Sequence, residues 1–348
     1  MLPRQNGDKP MGVTVSAGLP TGMEGMMYPI PFSEPAVVLR VARHAEALGF
    51  HSVWGNDHMT TQHYVRAEYA TPPRFWEPLV TYAFVAAHTT TLRLGTGVLV
   101  LPLRRDIVVL AKQLATLDHF SGGRLELGVG IGAYREEFEA LWPDSGAHRA
   151  AMMEEGVAAL QCLFTERVAS FAGRYYQFRD VELFPKPLQQ RLPLYFGGNS
   201  ENHLPRVARG ADGWIPAGME PARLAGMVCR LGELAVAADR DPAAIAIAPQ
   251  YIVHIGRDHE TALARFRRSQ MYRHLVSLRQ STLREQVGLS MEDINIVGSF
   301  DAALEKAMRI REAGATHFLG LYFAADDPGE LLDQMQMFAE SIMPQLVA

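Results

Sequence analysis

Apolar residues recur along this chain in two alternating rhythms, short near-continuous runs and longer stretches with a helical period. The first short run, MGVTVSAG, is rich in β-branched residues and ends in glycine, as a buried parallel strand does where it opens into its loop. A loop rich in glycine, proline and methionine follows. Ser33 then offers an N-cap, and EPAVVLRVARHAEALG sets Val37, Val38, Val41, Ala45 and Leu48 on one face of a helix that stops at Gly49. The alternation repeats: FHSVW as a strand, an insertion through Trp76, a helix over EPLVTYAFVAAHTT, the strand LRLGTGVLVL, a helix from Asp106 to Phe120, a turn at SGG, and the strand RLELGVGIG.

The second half predicts a helix from His148 to Phe164, a hairpin in RVASFAGRYYQFRDVELFPKP and the strand LPLYFGG. The strands GWIPA, IAIAPQYIVHIG and THFLGLYF then alternate with helical stretches near 200–210, 221–239, 258–285 and 300–313, and a closing helix covers 328–343. Eight βα units can be drawn. This is an α/β pattern that fits either a (β/α)8 TIM barrel with insertion loops or a doubly wound open sheet, since both use the same elements. No internal repeat, low-complexity tract or linker divides the chain, so residues 1–10 read as a flexible N-terminal tail and 11–348 as a single domain.

A chain of 348 residues with 48% apolar content can bury a large core. Its formal charge is −5 and its Lys and Arg residues are scattered, which argues against nucleic acid or an anionic membrane as partner. The segment MLPRQNGDKP lacks the apolar stretch of a secretory signal, and no later run approaches the roughly 18 to 20 apolar residues of a membrane span. The only two cysteines, Cys162 and Cys229, are far apart. Together these predict a soluble cytoplasmic protein.

Asp57 and His58 follow directly on the strand FHSVW, at what a barrel makes its C-terminal mouth, where barrel enzymes place reacting groups. An imidazole there can relay a proton near neutral pH, and the adjacent carboxylate could orient it; a capping Asp beside a packed His would read the same way. His44 and His63 do not build a metal site with His58, because the spacing lies in a loop with no supporting Cys or Glu cluster. No metal is expected.

The segment GVGIGAY, Gly128 to Tyr134, exposes backbone N–H groups at a strand end, suited to a ring or phosphate, or simply to a tight turn. It also spells G-x-G-x-x-A, but the acidic residue of a dinucleotide fingerprint should lie about 20 residues on in a second strand. That distance falls within a helical pattern, on Met152 to Glu155. In YFGGNSEN, the residues Gly197, Gly198, Asn199 and Ser200 make a strand-to-helix junction that could hold an anion, or serve as a plain connection. LGTGVLVLP places Gly95, Gly97 and Val98 in a buried strand, marking either close ligand approach or barrel curvature. There is no G-x-S-x-G elbow and no P-loop.

The order of these pieces carries more than any one of them. W-x-x-DH, then LGTGVLVLPLRRDIVVLAKQLATLDHFSGGRLELGVGIG, then LPLYFGGNSENHLPRVARGADGWIP together resemble the luciferase-like flavin oxidoreductases, over residues 11 to 345 and most strongly from Leu92 to Glu137. The resemblance implies a TIM barrel that holds coenzyme F420 or FMN at the strand C-termini, in a homodimer. His58 matches the family's active-site histidine, and Gly97-Val98 the place where deazaflavin members carry a non-prolyl cis peptide behind the ring. Gly130, Ile131 and Gly132 would line the ring edge, and Gly197 to Ser200 would meet the phosphate. The family's glucose-6-phosphate dehydrogenases carry a catalytic glutamate just after the second glycine of the fourth-strand turn; Ala133 stands there in this chain, so that activity is not implied. Glu136 and Glu137 read as surface-helix residues, or else as cofactor or substrate contacts.

The resemblance therefore implies an F420-dependent oxidoreductase in which His58 acts as acid/base or as substrate anchor and Asp57 orients it. The alternative is an FMN-dependent monooxygenase served by a separate flavin reductase; a barrel that binds flavin without turnover is the third reading. Tyr64, Tyr69, Phe75 and Trp76 in the insertion hint at a small organic substrate that is lipophilic or aromatic.

Overall fold

In the computed structural model, residues 12–143 and 145–347 are described; the segment 1–10, read above as a tail, lies outside them. The eight expected strands are present as β1 (Thr14–Gly18), β2 (Ser52–Gly55), β3 (Arg93–Thr96), β4 (Leu125–Gly130), β5 (Leu194–Gly197), β6 (Gly213–Ile215), β7 (Ala246–Ile247 with Ile252–Gly256) and β8 (His317–Phe323). Each pairs in parallel with its neighbours in sequence, and β8 returns to β1. The ring closes because β7 serves two partners. Ala246 and Ile247 pair with Gly213 and Trp214, whereas Ile252 and Val253 pair with Tyr322 and Phe323. Between them, Ile247 and Pro249 accept from the N–H groups of Thr316 and Leu319. The result is the TIM barrel, the closed alternative of the two that the pattern allowed.

Helices follow the strands: α1 (Pro35–Ala47), α2 (Pro78–Ala86), α3 (Ile107–Phe120), α4 (Arg149–Thr165), α5 (Leu204–Gly210), α6 (Pro221–Ala237), α7 (Phe300–Glu312) and α8 (Pro328–Ser341). Asp106 caps α3 by accepting from Val108 and Val109 N–H, and Glu77 caps α2 by accepting from Val80 N–H. The expected cap at Ser33 does not form. Glu34 occupies the cap position of α1 without a side-chain bond, and the Ser33 N–H donates instead to the buried Glu24 carboxylate, which also binds Arg74.

The elements differ from the sequence reading in three further places. LRLGTGVLVL is two pieces: β3 ends at Thr96, the Gly97–Val98 peptide is cis, and Leu99–Val100 resumes against the same neighbour β4, pairing with Val129 and Gly130. The 258–285 helix breaks at Ser269, an extended residue whose hydroxyl accepts from Tyr272 N–H, giving helices His259–Arg268 and Gln270–Ser277. A short strand at Ile296–Ser299, absent from the sequence reading, adds alongside β7.

The barrel interior is plugged by Trp54, fully buried among Tyr195, Ile215, Ala248 and Leu319. Gly95 makes room for its indole: a Cβ there would lie 2.2 Å from Trp54 Cδ2. Trp54 Nε1 donates to Ser52, which bonds Ser16, which in turn bonds His317 at the N-terminal end of the barrel. Glu126 and Arg93 complete that polar layer. The plug and the layer beneath it fill the barrel below its C-terminal mouth.

Candidate active site

The strand C-termini open into a cavity of about 790 Å³ whose wall includes Asp57, His58, Gly97, Val98, Gly130, Ile131, Gly132, Gly197, Gly198, Asn199 and Ser200, but not Gly95 or the insertion aromatics Tyr64, Tyr69, Phe75 and Trp76. Residues from four separated stretches of sequence are thus brought to one place.

His58 stands three residues beyond β2. Its Nδ1 lies 3.1 Å from Glu137 Oε2 and 3.0 Å from the Gln62 amide. While Glu137 is ionised its carboxylate can only accept, which favours a hydrogen on Nδ1 over the opposing Gln62 Nε2 donor and leaves Nε2 to the cavity. Glu137 belongs to the short helix Arg135–Leu141 after β4, is 2% exposed, and is pinned by the N–H groups of Met59 and Thr60. The surface reading of Glu137 is therefore corrected. The pattern REEFEAL does not reveal that the loop after β2 folds over this helix and covers one of its two adjacent acids. Glu136 stays at the rim, 2.8 Å from His63 Nδ1.

The role given to Asp57 is corrected too. Its Oδ2 accepts from Val100 N–H and its Oδ1 from Arg104, both at 2.9 Å, and the residue is 1% exposed. Successive side chains of extended backbone face opposite ways, so His58 at the mouth sends Asp57 into the wall. Burial pushes its carboxyl up against the pull of the Arg104 guanidinium. Asp57 ties the His58 loop to the segment just beyond Gly97–Val98; Glu137 holds the imidazole.

Val98 forms the floor. A Cβ at Gly130 would lie 2.6 Å from Val98 Cγ2, and one at Gly197 2.7 Å from Val98 Cγ1, so both glycines seat the valine side chain. Gln250 Nε2 donates to the Gly97 carbonyl. At the β5 end, the Asn199 amide is spent on Ala217, donating to its carbonyl at 2.7 Å and accepting from its N–H at 2.8 Å. Ser200 leads into a 3₁₀ turn, Glu201–His203, and makes no capping bond. The start of that turn is thus left uncapped, and two further side chains of the cavity wall stand with it. Arg149, at the start of α4, donates to the carbonyls of Ile131 and Gly132 and has no carboxylate partner among the described residues. Burial, with Arg135 nearby, holds its pKa below the ordinary value. His203 Nε2 is buried without a partner, and burial lowers its ring to about 4.

The opposite wall comes from the Gln270–Ser277 helix. His274 lies there with Nδ1 3.2 Å from the Tyr64 hydroxyl and 3.4 Å from that of Tyr134. Arg149, His203 and His274 were missed by sequence reasoning, although His203 lies within the motif that begins at Gly197 and Gly198; Glu137 was named, but not as the partner of His58.

A family model for luciferase-like monooxygenases matches residues 13–340. The chain belongs to the luciferase-like monooxygenase family. An uncharacterised protein of Mycobacterium tuberculosis is 34% identical over 187 residues, which are 50% of this chain and 65% of that protein; the match thus spans just under two thirds of that relative's length. An F420-dependent glucose-6-phosphate dehydrogenase of Amycolatopsis mediterranei is 26% identical over 329 residues, 90% of this chain and 95% of that one. The solved monooxygenase of Streptomyces bottropensis superposes with a TM-score of 0.78 at 23% identity, covering 95% of this chain and 99% of its own, and shares the barrel of this family member. No helix among the described residues is long and apolar enough to cross a membrane.

Proposed function

We propose that this protein is an F420-dependent oxidoreductase that exchanges hydride between the deazaflavin and an organic substrate, with His58 handling the substrate's mobile proton. The observation that carries this is the imidazole itself: Nδ1 committed to a buried carboxylate, Nε2 left to the mouth of the barrel. The residues fit such a cofactor. Gly97, Val98 and Gly130 to Gly132 would hold the ring, and Gly197 to Ser200 with Arg149 would hold the phosphate, because a partly buried guanidinium without a carboxylate calls for an anion. When bound, the deazaflavin supplies two-electron hydride chemistry.

The chain's own share is placement and proton transfer. Nε2 takes the proton of a substrate hydroxyl, or returns it in the reverse direction, and the Glu137 carboxylate stabilises the imidazolium formed. Met26, Met27, Tyr134 and Leu275 in the cavity wall exclude water from the reacting pair. The Amycolatopsis relative supports F420, since its match runs through 90% of this chain. Its sugar phosphate is not carried over, given Ala133. A second reading, an FMN-dependent monooxygenase fed by a separate reductase, is favoured by the Streptomyces structure; His58 would then serve proton transfer in oxygen chemistry.

We further propose a homodimer. Val80 and Phe84 of α2, Val109 and Phe120 of α3, and Phe184, whose carbonyl Lys112 of α3 reaches, are exposed apolar side chains on adjoining surface.

Fluorescence titration against F420 and FMN, each oxidised and reduced, tests the cofactor. Tight F420 binding is expected. Selective binding of reduced FMN with oxygen uptake would move the protein to the monooxygenase reading, and binding of neither would end both.

A further inference from the structure

The imidazole of His58 is enclosed on most of its edges, and its side chain is 10% exposed. Glu137 and Gln62 meet Nδ1, and Phe75 and Tyr134 lie tilted beside the ring with centroids 5.6 and 6.1 Å away. The remaining edge faces Gly22, in the loop after β1. A Cβ built at Gly22 would lie 3.2 Å from His58 Cδ2 and 3.5 Å from His58 Cβ, so the glycine backbone abuts the Cδ2–Nε2 edge of the ring. Gly22 is not among the glycines with positive φ. Its backbone would accept any residue, and it is space that demands glycine there.

Asn56, two residues before His58, fixes where that backbone lies. Its Oδ1 accepts from the Gly22 N–H at 3.1 Å, and its Nδ2 donates to the Gly22 carbonyl at 3.2 Å. Both polar groups of the Gly22 backbone thus have a partner away from the imidazole. The two loops are also joined independently of this amide. Thr21 Oγ1 donates to the Asn56 carbonyl at 2.7 Å, and β1 and β2 pair just below. Loss of the Asn56 amide would therefore release Gly22 without parting the strands.

We propose that Gly22 and Asn56 are a positioning pair for His58: Asn56 holds the Gly22 backbone against the Cδ2–Nε2 edge, and the absent side chain at position 22 keeps Nε2 reachable from the cavity. This rests on the oxidoreductase reading above, in which His58 is the reacting group. A methyl group at 22 would press on Cδ2 while Nδ1 stays anchored to Glu137, itself pinned by the N–H groups of Met59 and Thr60. The ring then pivots about Nδ1, which carries Nε2 out of line and places the methyl beside it.

The pair can be tested without cofactor, so its failure is distinct from failure of the F420 assignment. Diethyl pyrocarbonate acylates unprotonated imidazole nitrogens, and at His58 Glu137 and Gln62 cover Nδ1, leaving Nε2 to react. Peptide mass mapping at neutral pH should show His58 modified about 10-fold more slowly in Gly22→Ala than in the wild type, in keeping with the roughly 10²-fold loss that a misplacement of about 1 Å can cause. His63, whose side chain is 71% exposed, is the internal reference and should react equally in both. In protein labelled with ¹³C at histidine and glycine, with His58 assigned from His58→Gln, a nuclear Overhauser contact between His58 Hδ2 and Gly22 Hα is expected. It should be lost in Asn56→Ala and kept in Asn56→Asp, which still accepts from the Gly22 N–H. The proposal is overturned by a His58 that is inert in the wild type, by an unchanged His58 rate in Gly22→Ala, by a His63 rate that falls alongside it, or by a contact that survives in Asn56→Ala.

Discussion

One hydrogen on one ring nitrogen decides what His58 can do, and Glu137 decides where that hydrogen sits. Glu137→Gln removes the negative charge that stabilises the imidazolium while keeping the side chain's volume. We expect kcat to fall about 10²-fold, within the range of general acid–base contributions, with KM and F420 affinity little changed. Steady-state kinetics beside a binding titration checks this; equal losses in affinity and kcat would instead mark Glu137 as a support of the loop alone. His58 was legible because it sits at a fixed distance after a strand, whereas its carboxylate was not, since the two groups are 79 positions apart and meet only through the fold. Asp57, adjacent in sequence, was the natural choice and the wrong one, because backbone extension separates neighbours that sequence joins. Arg149 and His274 lie on helices whose periodicity says which residues are apolar but not which polar ones face a barrel mouth.

At the scale of elements, the strands were readable from their apolar runs, and the breaks were not. Ser269 looks like any polar position on a helical face, yet its hydroxyl restarts the helix; Gly97–Val98 sits inside an apolar run that the period alone continues unbroken. The β5–β6 junction shows how much one side chain can hold. Asn199 closes a two-bond bridge to the Ala217 backbone. Asn199→Ala leaves a half-buried N–H and carbonyl without those partners and should cost about 1 kcal/mol, read as a lowered denaturation midpoint. It should also weaken cofactor binding, because Gly197 and Gly198 lose their anchor. An unchanged midpoint would mean that water replaces the amide without cost.

For the molecule as a whole, buried histidines set the response to acid, His203 and His254 in part and two others most strongly. His274 and His317 are each lowered to about 3, by burial first; His58 adds to this at His274, while at His317 Glu126 pulls the other way. Unfolded, each binds a proton near 6.5. The unfolded chain therefore holds more protons than the folded one below that pH, and folding is disfavoured by about 1.4 kcal/mol per pH unit for each ring. Stability should be full above pH 6.5 and fall as pH drops toward 3. Glu126, held down to about 2 mainly by His51 and Arg93 against its burial, adds a further loss below its ordinary value of 4.5. Tm measured from pH 7 to 4 should decline throughout, and a flat profile would contradict neutral burial of these rings. The proposed dimer makes a separate prediction. Phe120 is 72% exposed, so Phe120→Glu should leave the fold intact and shift the sedimentation profile from dimer to monomer; a wild-type protein already monomeric would exclude the assembly.

The seat of Val98 has a consequence for how this pocket can change. Its two methyl groups occupy room surrendered by Gly130 and Gly197, so three distant positions own a single parcel of bulk that can be traded among them but not enlarged. Relatives should exchange it, a smaller residue at 98 accompanied by alanine at one of the other two. A lone gain at 130 or 197 would drive the valine upward and make the barrel mouth shallower for whatever ring it receives.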